Sequence, residues 1–412
     1  MKPMGPIPPD YAGQDRLTIA GHDAEYWVEQ AGSTPCFVYD MAAMERRVAR
    51  LRAALPDRVG VHFAIKANPY PPLVSAMAAL VDGLDVASGG EMALALRSKP
   101  GGEISFAGPG KRDAELEAAI RSGVTLNLES AGEAERALAI GEQLGVAPRL
   151  AVRVNPDFEL RGSGMKMGGR ASPFGVDAAE VPALVRHILA RGGDWRGFHI
   201  FAGSQSLDTQ AIIETQAATL ALAERLGEEA GATPPFVNLG GGFGIPYFPG
   251  DTPVDVEAIG AALGEALDVS SLANRKTGFA VELGRWLVGE AGVYLTRILD
   301  RKVSQGETFL VVDGGLHHQL AASGNFGTVV RRNYPVALPM RMDAVAEEAV
   351  SVVGCLCTPL DRLADKVALP KAQPGDLIAI FLAGAYGLTA SPSAFLGHGP
   401  ARECLPRAAE TT

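Results

Sequence analysis

Lys66 lies in Val61-His62-Phe63-Ala64-Ile65-Lys66-Ala67-Asn68-Pro69, a stretch otherwise composed for burial. Taking an ammonium out of water is costly, so a lysine in such a place is expected to carry a depressed pKa or a covalent partner. A Schiff base is one such partner. Farther along, Asn238-Leu239-Gly240-Gly241-Gly242-Phe243-Gly244 offers backbone N–H groups with no side chains in the way. Such groups can close around a phosphate. Glycines more often serve plain tight turns, and it is the coincidence with Lys66 that favours the phosphate reading.

An amine that can form an imine, together with a phosphate cradle, fits pyridoxal 5'-phosphate. Glu282 and Arg285, in Val281-Glu282-Leu283-Gly284-Arg285, admit two readings. They could pair with each other as a structural ion pair. Alternatively, Glu282 could hold a pyridine nitrogen protonated, so that the ring draws electrons from a substrate Cα. His199 taken alone is more often a hydrogen-bonded core residue than a catalyst.

These residues need a frame that brings them together. Between about 36 and 290, short β-branched runs alternate with Ala/Leu-rich stretches of helical period, the pattern of repeated βα units. The runs 59–67, 83–88, 104–108, 125–129, 149–155, 196–203, 236–241 and 278–285 predict eight strands, and 72–81, 91–98, 113–122, 131–144, 178–190 and 209–230 predict helices between them. Eight such repeats close into a (β/α)8 barrel of the TIM type. Catalytic groups of such a barrel gather at the C-terminal strand ends, which is where Lys66, Ser88-Gly89-Gly90-Glu91, Asn155-Pro156, His199, Phe201, Ser204, the glycine cluster, Glu282 and Arg285 fall. After about residue 290 the segments 308–312, 349–353 and 377–382, with the turn Pro374-Gly375-Asp376, predict a β-rich domain. The domain reading is therefore 1–35 as strands packing on the β domain, 36–290 as the barrel and 291–412 as the β domain, with Thr34-Pro35-Cys36-Phe37-Val38-Tyr39 read as a strand that packs on the β domain before the chain enters the barrel.

Bulk properties narrow the function classes. A formal charge of -10 argues against general nucleic-acid binding, which needs basic surface. Apolar runs break well before the roughly 18 residues of a membrane span, and a basic-then-apolar leader is absent, so a cytoplasmic protein acting on small molecules is expected. Cys36, Cys355, Cys357 and Cys404 do not form a disulfide framework and have no histidines at zinc-ligand spacing. Reduced thiols and no metal follow.

Phe63-Ala64-Ile65-Lys66-Ala67-Asn68, Ser88-Gly89-Gly90-Glu91, Asn127-Leu128-Glu129-Ser130, Arg153-Val154-Asn155-Pro156, Leu239-Gly240-Gly241-Gly242-Phe243-Gly244, Glu282-Leu283-Gly284-Arg285, Asp313-Gly314-Gly315, Cys357 with Asp361, and Gly384-Ala385-Tyr386-Gly387 run nearly end to end. In order and spacing the chain resembles the fold-type III pyridoxal phosphate decarboxylases, the group of diaminopimelate and ornithine decarboxylases, with their alanine racemase-like barrel. The resemblance implies that Lys66 carries the coenzyme as a Schiff base and that Glu282 meets the pyridine nitrogen. It also implies that Gly241, Gly242, Arg285 and Tyr386 hold the phosphate, with Ser204 nearby. Cys357 would return a proton to Cα after CO2 leaves, a task that suits a thiol. In the family this cysteine reaches into the partner's barrel, so a head-to-tail homodimer with shared sites is implied.

Three departures bear on substrate. The family stacks a histidine on the ring in a His-x-Gly-Ser segment, where this chain has Phe201-Ala202-Gly203-Ser204. Thr358 follows Cys357, where diamine and diaminopimelate enzymes place an acid that grips the distal ammonium. Its loss would disfavour such substrates by roughly 2–5 kcal/mol. In 327–335, Arg331 or Arg332 stands where those enzymes bind the substrate carboxylate with an Arg-Pro segment, although adjacent loop arginines are more often solvated. Asp361 is either substrate-facing or a turn residue. The pattern resembles a divergent branch associated with exosortase loci and with aminoacyl groups held on carrier proteins. The expectation is α-decarboxylation of an amino acid, or of an aminoacyl group on an acyl-carrier protein, that lacks a distal ammonium. Conventional diaminopimelate decarboxylation, amino-acid racemisation and non-catalytic coenzyme binding are the alternatives.

Overall fold

The computed structural model describes residues 1–158, 165–166, 171–324 and 332–406. Eight parallel strands, Val59–Ala64, Gly83–Val86, Ile104–Phe106, Thr125–Leu128, Arg149–Asn155, Asp194–Ile200, Phe236–Gly241 and Gly278–Leu283, pair in chain order. The eighth returns to the first with Glu282 opposite His62, which closes the barrel. By the two-residue period of a strand, Val61, Phe63, Leu126, Leu128 and Val281 face the helices and are buried there. The lumen is polar. The Ser105 hydroxyl donates to Asp85, the Asn127 side-chain amide donates to Ser105 at 3.2 Å, and His62 Nδ1 stands 3.2 Å from Asp85.

Helices start where side chains satisfy the free N–H groups of the first turn. Ser130 accepts from the Glu133 N–H at 3.1 Å to open Ala131–Leu144. Asp208 accepts from the Ala211 N–H at 3.0 Å to open Thr209–Ala230. Two barrel helices are absent from the sequence reading. Val256–Val269 follows the seventh strand behind its cap Asp255. Met41–Ala54, capped by Asp40, precedes the first strand and packs between Val256–Val269 and Pro71–Leu80. It takes the place of an eighth outer helix, because the eighth strand is followed only by the short Arg285–Val288. Its Met41, Met44, Val48 and Leu51 face inward at helical spacing. Ala-rich and Arg-rich neighbours dilute that signal.

Several predicted strands run too long. The first stops at Ala64, and Lys66 sits in the 3-10 turn Ile65–Ala67 beyond it. The boundary at residue 36 also moves. Cys36–Tyr39 is a strand of the β domain, paired antiparallel with Gly292–Ser304, and the barrel begins after it. Gly292–Ser304 pairs in addition with Glu307–Val312 and Leu377–Ile380, so one long strand organises the second sheet.

The two units meet beside Lys66. The Tyr386 N–H donates to the Ala67 carbonyl at 2.7 Å, and the Asn68 side-chain amide donates to the Gly384 carbonyl at 3.0 Å. A Cβ on Gly384 would stand 1.8 Å from the Val288 carbonyl oxygen. Gly384→Ala is therefore expected to lower stability by about 1–3 kcal/mol, read as a lower thermal midpoint together with weaker coenzyme retention. An unchanged midpoint would show that this seam yields freely.

Candidate active site

One narrow cavity at the C-terminal mouth is lined by Lys66, Phe201, Ser204, Gly242, Glu282, Arg285 and Tyr386. A tight turn sets the position of Lys66, with the Asn68 N–H closing on the Ile65 carbonyl at 2.9 Å. Ile65 and Ala67 are buried on either side, while the Lys66 side chain keeps 41% of its surface open. The expectation of a depressed lysine pKa does not hold. Burial alone pushes the ammonium down, but the Glu282 carboxylate, 3.7 Å away, reverses this and the net shift is upward. The lysine that burial does push down is Lys111, whose Nζ donates to the Gly108 carbonyl at 2.8 Å, the Asn127 carbonyl at 2.9 Å and Glu133 at 2.6 Å. With all three donors used, it is a structural tie.

Glu282 is the electrostatic centre. Burial favours its neutral acid, yet Lys66, His199 and Arg153 together hold the carboxyl well below the usual carboxylate range. His199 Nε2 lies 2.7 Å from one Glu282 oxygen, and the Asn238 amide lies 3.5 Å from the same atom. His199 does not line the cavity; it acts through Glu282. The reading of Glu282 and Arg285 as each other's partners gives way to this arrangement. Arg285 instead donates to the Tyr247 hydroxyl at 2.8 Å and packs 4.6 Å from the Tyr386 ring centre.

The glycine cluster is built for close approach. A Cβ on Gly241 would stand 2.0 Å from the Glu282 carbonyl oxygen, and Gly242 has a φ of 81°. The Nε of Arg285 is buried without a hydrogen-bond partner among the described residues. Bare glycines, an underused guanidinium, an amine and a buried carboxylate on opposite sides of one slot suit a coenzyme with a phosphate, an aldehyde and a basic ring nitrogen. Phe201, whose ring centre is 5.3 Å from Lys66 Nζ, supplies an apolar face.

The residues expected on the substrate side are placed elsewhere. Cys357 is exposed and does not line the Lys66 cavity of its own chain. Asp361 takes the turn-residue reading over the substrate-facing one: it is buried, and its two oxygens accept the Leu316 N–H at 2.7 Å and the Leu356 N–H at 2.9 Å. It folds the loop that carries Cys357 and Thr358. The Thr358 hydroxyl accepts the Leu360 N–H at 3.4 Å. Arg332 stacks 3.8 Å over the Phe248 ring, outside the cavity, and Arg331 lies outside the described residues. Sequence reasoning missed Tyr247 and the buried Arg153–Glu129 pair at 2.8 Å. Tyr247 carries no local signal, whereas Arg153 and Glu129 sit at strand ends where their roles could have been suspected.

A barrel with a lysine, a buried carboxylate, an arginine and close-packed glycines at its C-terminal mouth is the frame of a pyridoxal phosphate enzyme of the alanine racemase-like fold. Residues 41–289 match the family of the pyridoxal-dependent decarboxylase, pyridoxal binding domain. The chain belongs to this decarboxylase family. It is 36% identical, over 91% of its length and 89% of the relative's, to the L-glutamyl-[BtrI acyl-carrier protein] decarboxylase of Niallia circulans. It is 31% identical, over 88% and 84% of the two chains, to the diaminopimelate decarboxylase of Aquifex aeolicus. The solved diaminopimelate decarboxylase of M. jannaschii, in complex with L-lysine, superposes with a TM-score of 0.85 at 25% identity, covering 96% of this chain and 92% of the other.

The direction of the shifts fixes a pH dependence. A depressed Glu282 contributes stability that is present above the unfolded carboxylate value and lost as pH falls toward the folded one; a raised Lys66 contributes stability that is lost only at high pH. For coenzyme-free protein, the stability difference between wild type and Glu282→Gln is expected to stay flat from about pH 5 to 9 and to shrink below about pH 4. Urea denaturation across that range checks it, and a difference that grows on acidification reverses the sign.

Proposed function

We propose that this pyridoxal phosphate decarboxylase acts on an aminoacyl group tethered to an acyl-carrier protein, a glutamyl group being the best fit, and not on a diamino acid. The observation that carries this is the loop after Cys357. Its one carboxylate, Asp361, is spent on backbone N–H groups, and the neighbouring side chain is the neutral Thr358. A distal ammonium placed there would lose its solvation without gaining a partner. The similarity to the L-glutamyl-[BtrI acyl-carrier protein] decarboxylase over nearly the whole chain supports the same reading.

Pyridoxal phosphate, when bound, supplies an electron-accepting ring conjugated to the substrate Cα. The chain's own residues do the rest. Lys66 would hold the coenzyme at the mouth, and its amine is placed to move protons there. Glu282, kept ionised by Lys66 and oriented by His199 and Asn238, is the residue that would keep the coenzyme's ring nitrogen protonated. The Gly241 and Gly242 N–H groups, Ser204, Arg285 and Tyr386 would receive the phosphate, with Tyr247 fixing the Arg285 fork. Phe201 offers a face for stacking and, unlike a histidine, no hydrogen bond.

Cys357 is the group we assign to return a proton to Cα. Because it is exposed and absent from its own chain's cavity, the assignment requires a second copy of the chain to carry the thiol into the mouth. A homodimer with two shared sites follows. Among the described residues no helix is long and apolar enough to cross a membrane, and no group of His, Cys, Asp and Glu is arranged to hold a metal ion.

Incubation with glutamyl-loaded carrier protein should release CO2, whereas free meso-diaminopimelate should not. The opposite preference would overturn the substrate assignment. Lys66→Ala should lose the visible absorbance of the bound coenzyme. Cys357→Ala should keep that absorbance and lose about 10²–10⁴-fold in turnover; full activity in that variant removes the thiol from the mechanism.

A further inference from the structure

The N-terminal end of the barrel holds a second cavity, of about 230 Å³, that the site at the opposite mouth does not use. Arg149 from the fifth strand and Arg196 from the sixth both line it. Pairing between these strands is irregular, with the register shifting between Trp195 and Gly197. Gly197 has a φ of 106°, and a Cβ there would stand 1.9 Å from the Phe236 carbonyl oxygen. Only glycine permits this bulge. A bulge re-aims the side chains it carries, and here it sets the Arg196 guanidinium into the same space as Arg149.

Two cations sharing one space repel each other, and the chain compensates them weakly. Arg149 makes two long contacts, each 3.4 Å, to the Thr125 hydroxyl and the Gly102 carbonyl. Arg196 has Asp194 at 3.5 Å. The two carboxylates on the wall are engaged with other partners. Asp82 accepts the Val61 N–H at 2.7 Å and pairs with Arg52 at 3.0 Å; Glu103 pairs with Lys99 at 2.7 Å. Burial and the nearby Arg196 both push the Arg149 pKa down, as expected of a guanidinium short of water and beside a like charge. His62, pressed by Asp85, remains as a further polar group on the wall, and Phe198 and Phe236 give it an apolar side.

We propose that this cavity is a binding site for a small oxyanion, a carboxylate or a phosphate, whose charge is taken up by the paired forks of Arg149 and Arg196. Guanidinium forks match both anions in two-pronged geometry. The volume suits a metabolite-sized ligand. Arg149 and Arg196 take no part in the decarboxylation chemistry, although Asn238 borders both this cavity and Glu282, so the site is additional to the catalytic one and does not depend on which substrate is decarboxylated.

Calorimetric titration of the holoenzyme at low salt tests this, with succinate in one arm and inorganic phosphate in the other. The bound coenzyme occupies the phosphate cradle at the far mouth and keeps it from capturing the probe. At least one anion is expected to bind once per chain, and the preferred arm identifies the ligand class. Arg149→Gln and Arg196→Gln are each expected to weaken that binding by about 10-fold or more, while coenzyme absorbance stays at the wild-type level. Arg196 keeps 35% of its side chain exposed, so its replacement leaves the fold intact and is the decisive variant. Absence of saturable heat in both arms up to about 10 mM, or equal affinity in Arg196→Gln, overturns the proposal.

Discussion

A buried carboxylate that must stay charged sets the terms for the rest of this molecule. Glu282 has almost no access to water, and desolvation alone would neutralise it. Three cations or potential cations prevent that, and each comes from a different part of the chain: Lys66 beyond the first strand, Arg153 on the fifth and His199 on the sixth. Closing the barrel is what brings them around one oxygen pair. The polar lumen is therefore a functional demand made on the fold, and the apolar residues that hold the fold together are displaced to the helix-facing side of the strands.

The same economy governs the boundary between the two units. Tyr386 and Gly384 reach from the β domain to the backbone beside Lys66, so the turn that presents the amine is braced from outside the barrel. Tyr386 holds a positive φ of 53°, a conformation that a side-chain-bearing residue adopts only when its surroundings impose it. Its ring then packs against Arg285, which Tyr247 fixes from the other side. The Arg285 end of the cavity thus belongs to both units, and neither would shape it alone.

The loop that follows Cys357 is organised around one buried acid. Asp361 accepts two backbone N–H groups there. Glycines at 315 and 354 make room for it, since a Cβ at either would approach its carboxylate to 2.5 Å or less. The loop is consequently well ordered around an internal charge and presents a thiol and a hydroxyl outward.

Periodicity, punctuation and a few unusual residues in the sequence were enough to establish the alternating βα frame and the separate β-rich unit, and they singled out Lys66, Glu282 and Gly242, which line one cavity. These signals are local, because strand period, turn residues and a lysine among apolar neighbours are written within a few positions of each other. Helix Met41–Ala54 was not read, because its Ala-rich and Arg-rich stretch hides the apolar face and one of its packing partners, Val256–Val269, lies some two hundred residues away. Only the tertiary structure decided that Lys66 is pushed up and Lys111 down, that Arg285 answers to Tyr247 and not to Glu282, and that Asp361 is structural. Each of those outcomes depends on which charges share a dry space, and strand closure sets that distance in three dimensions.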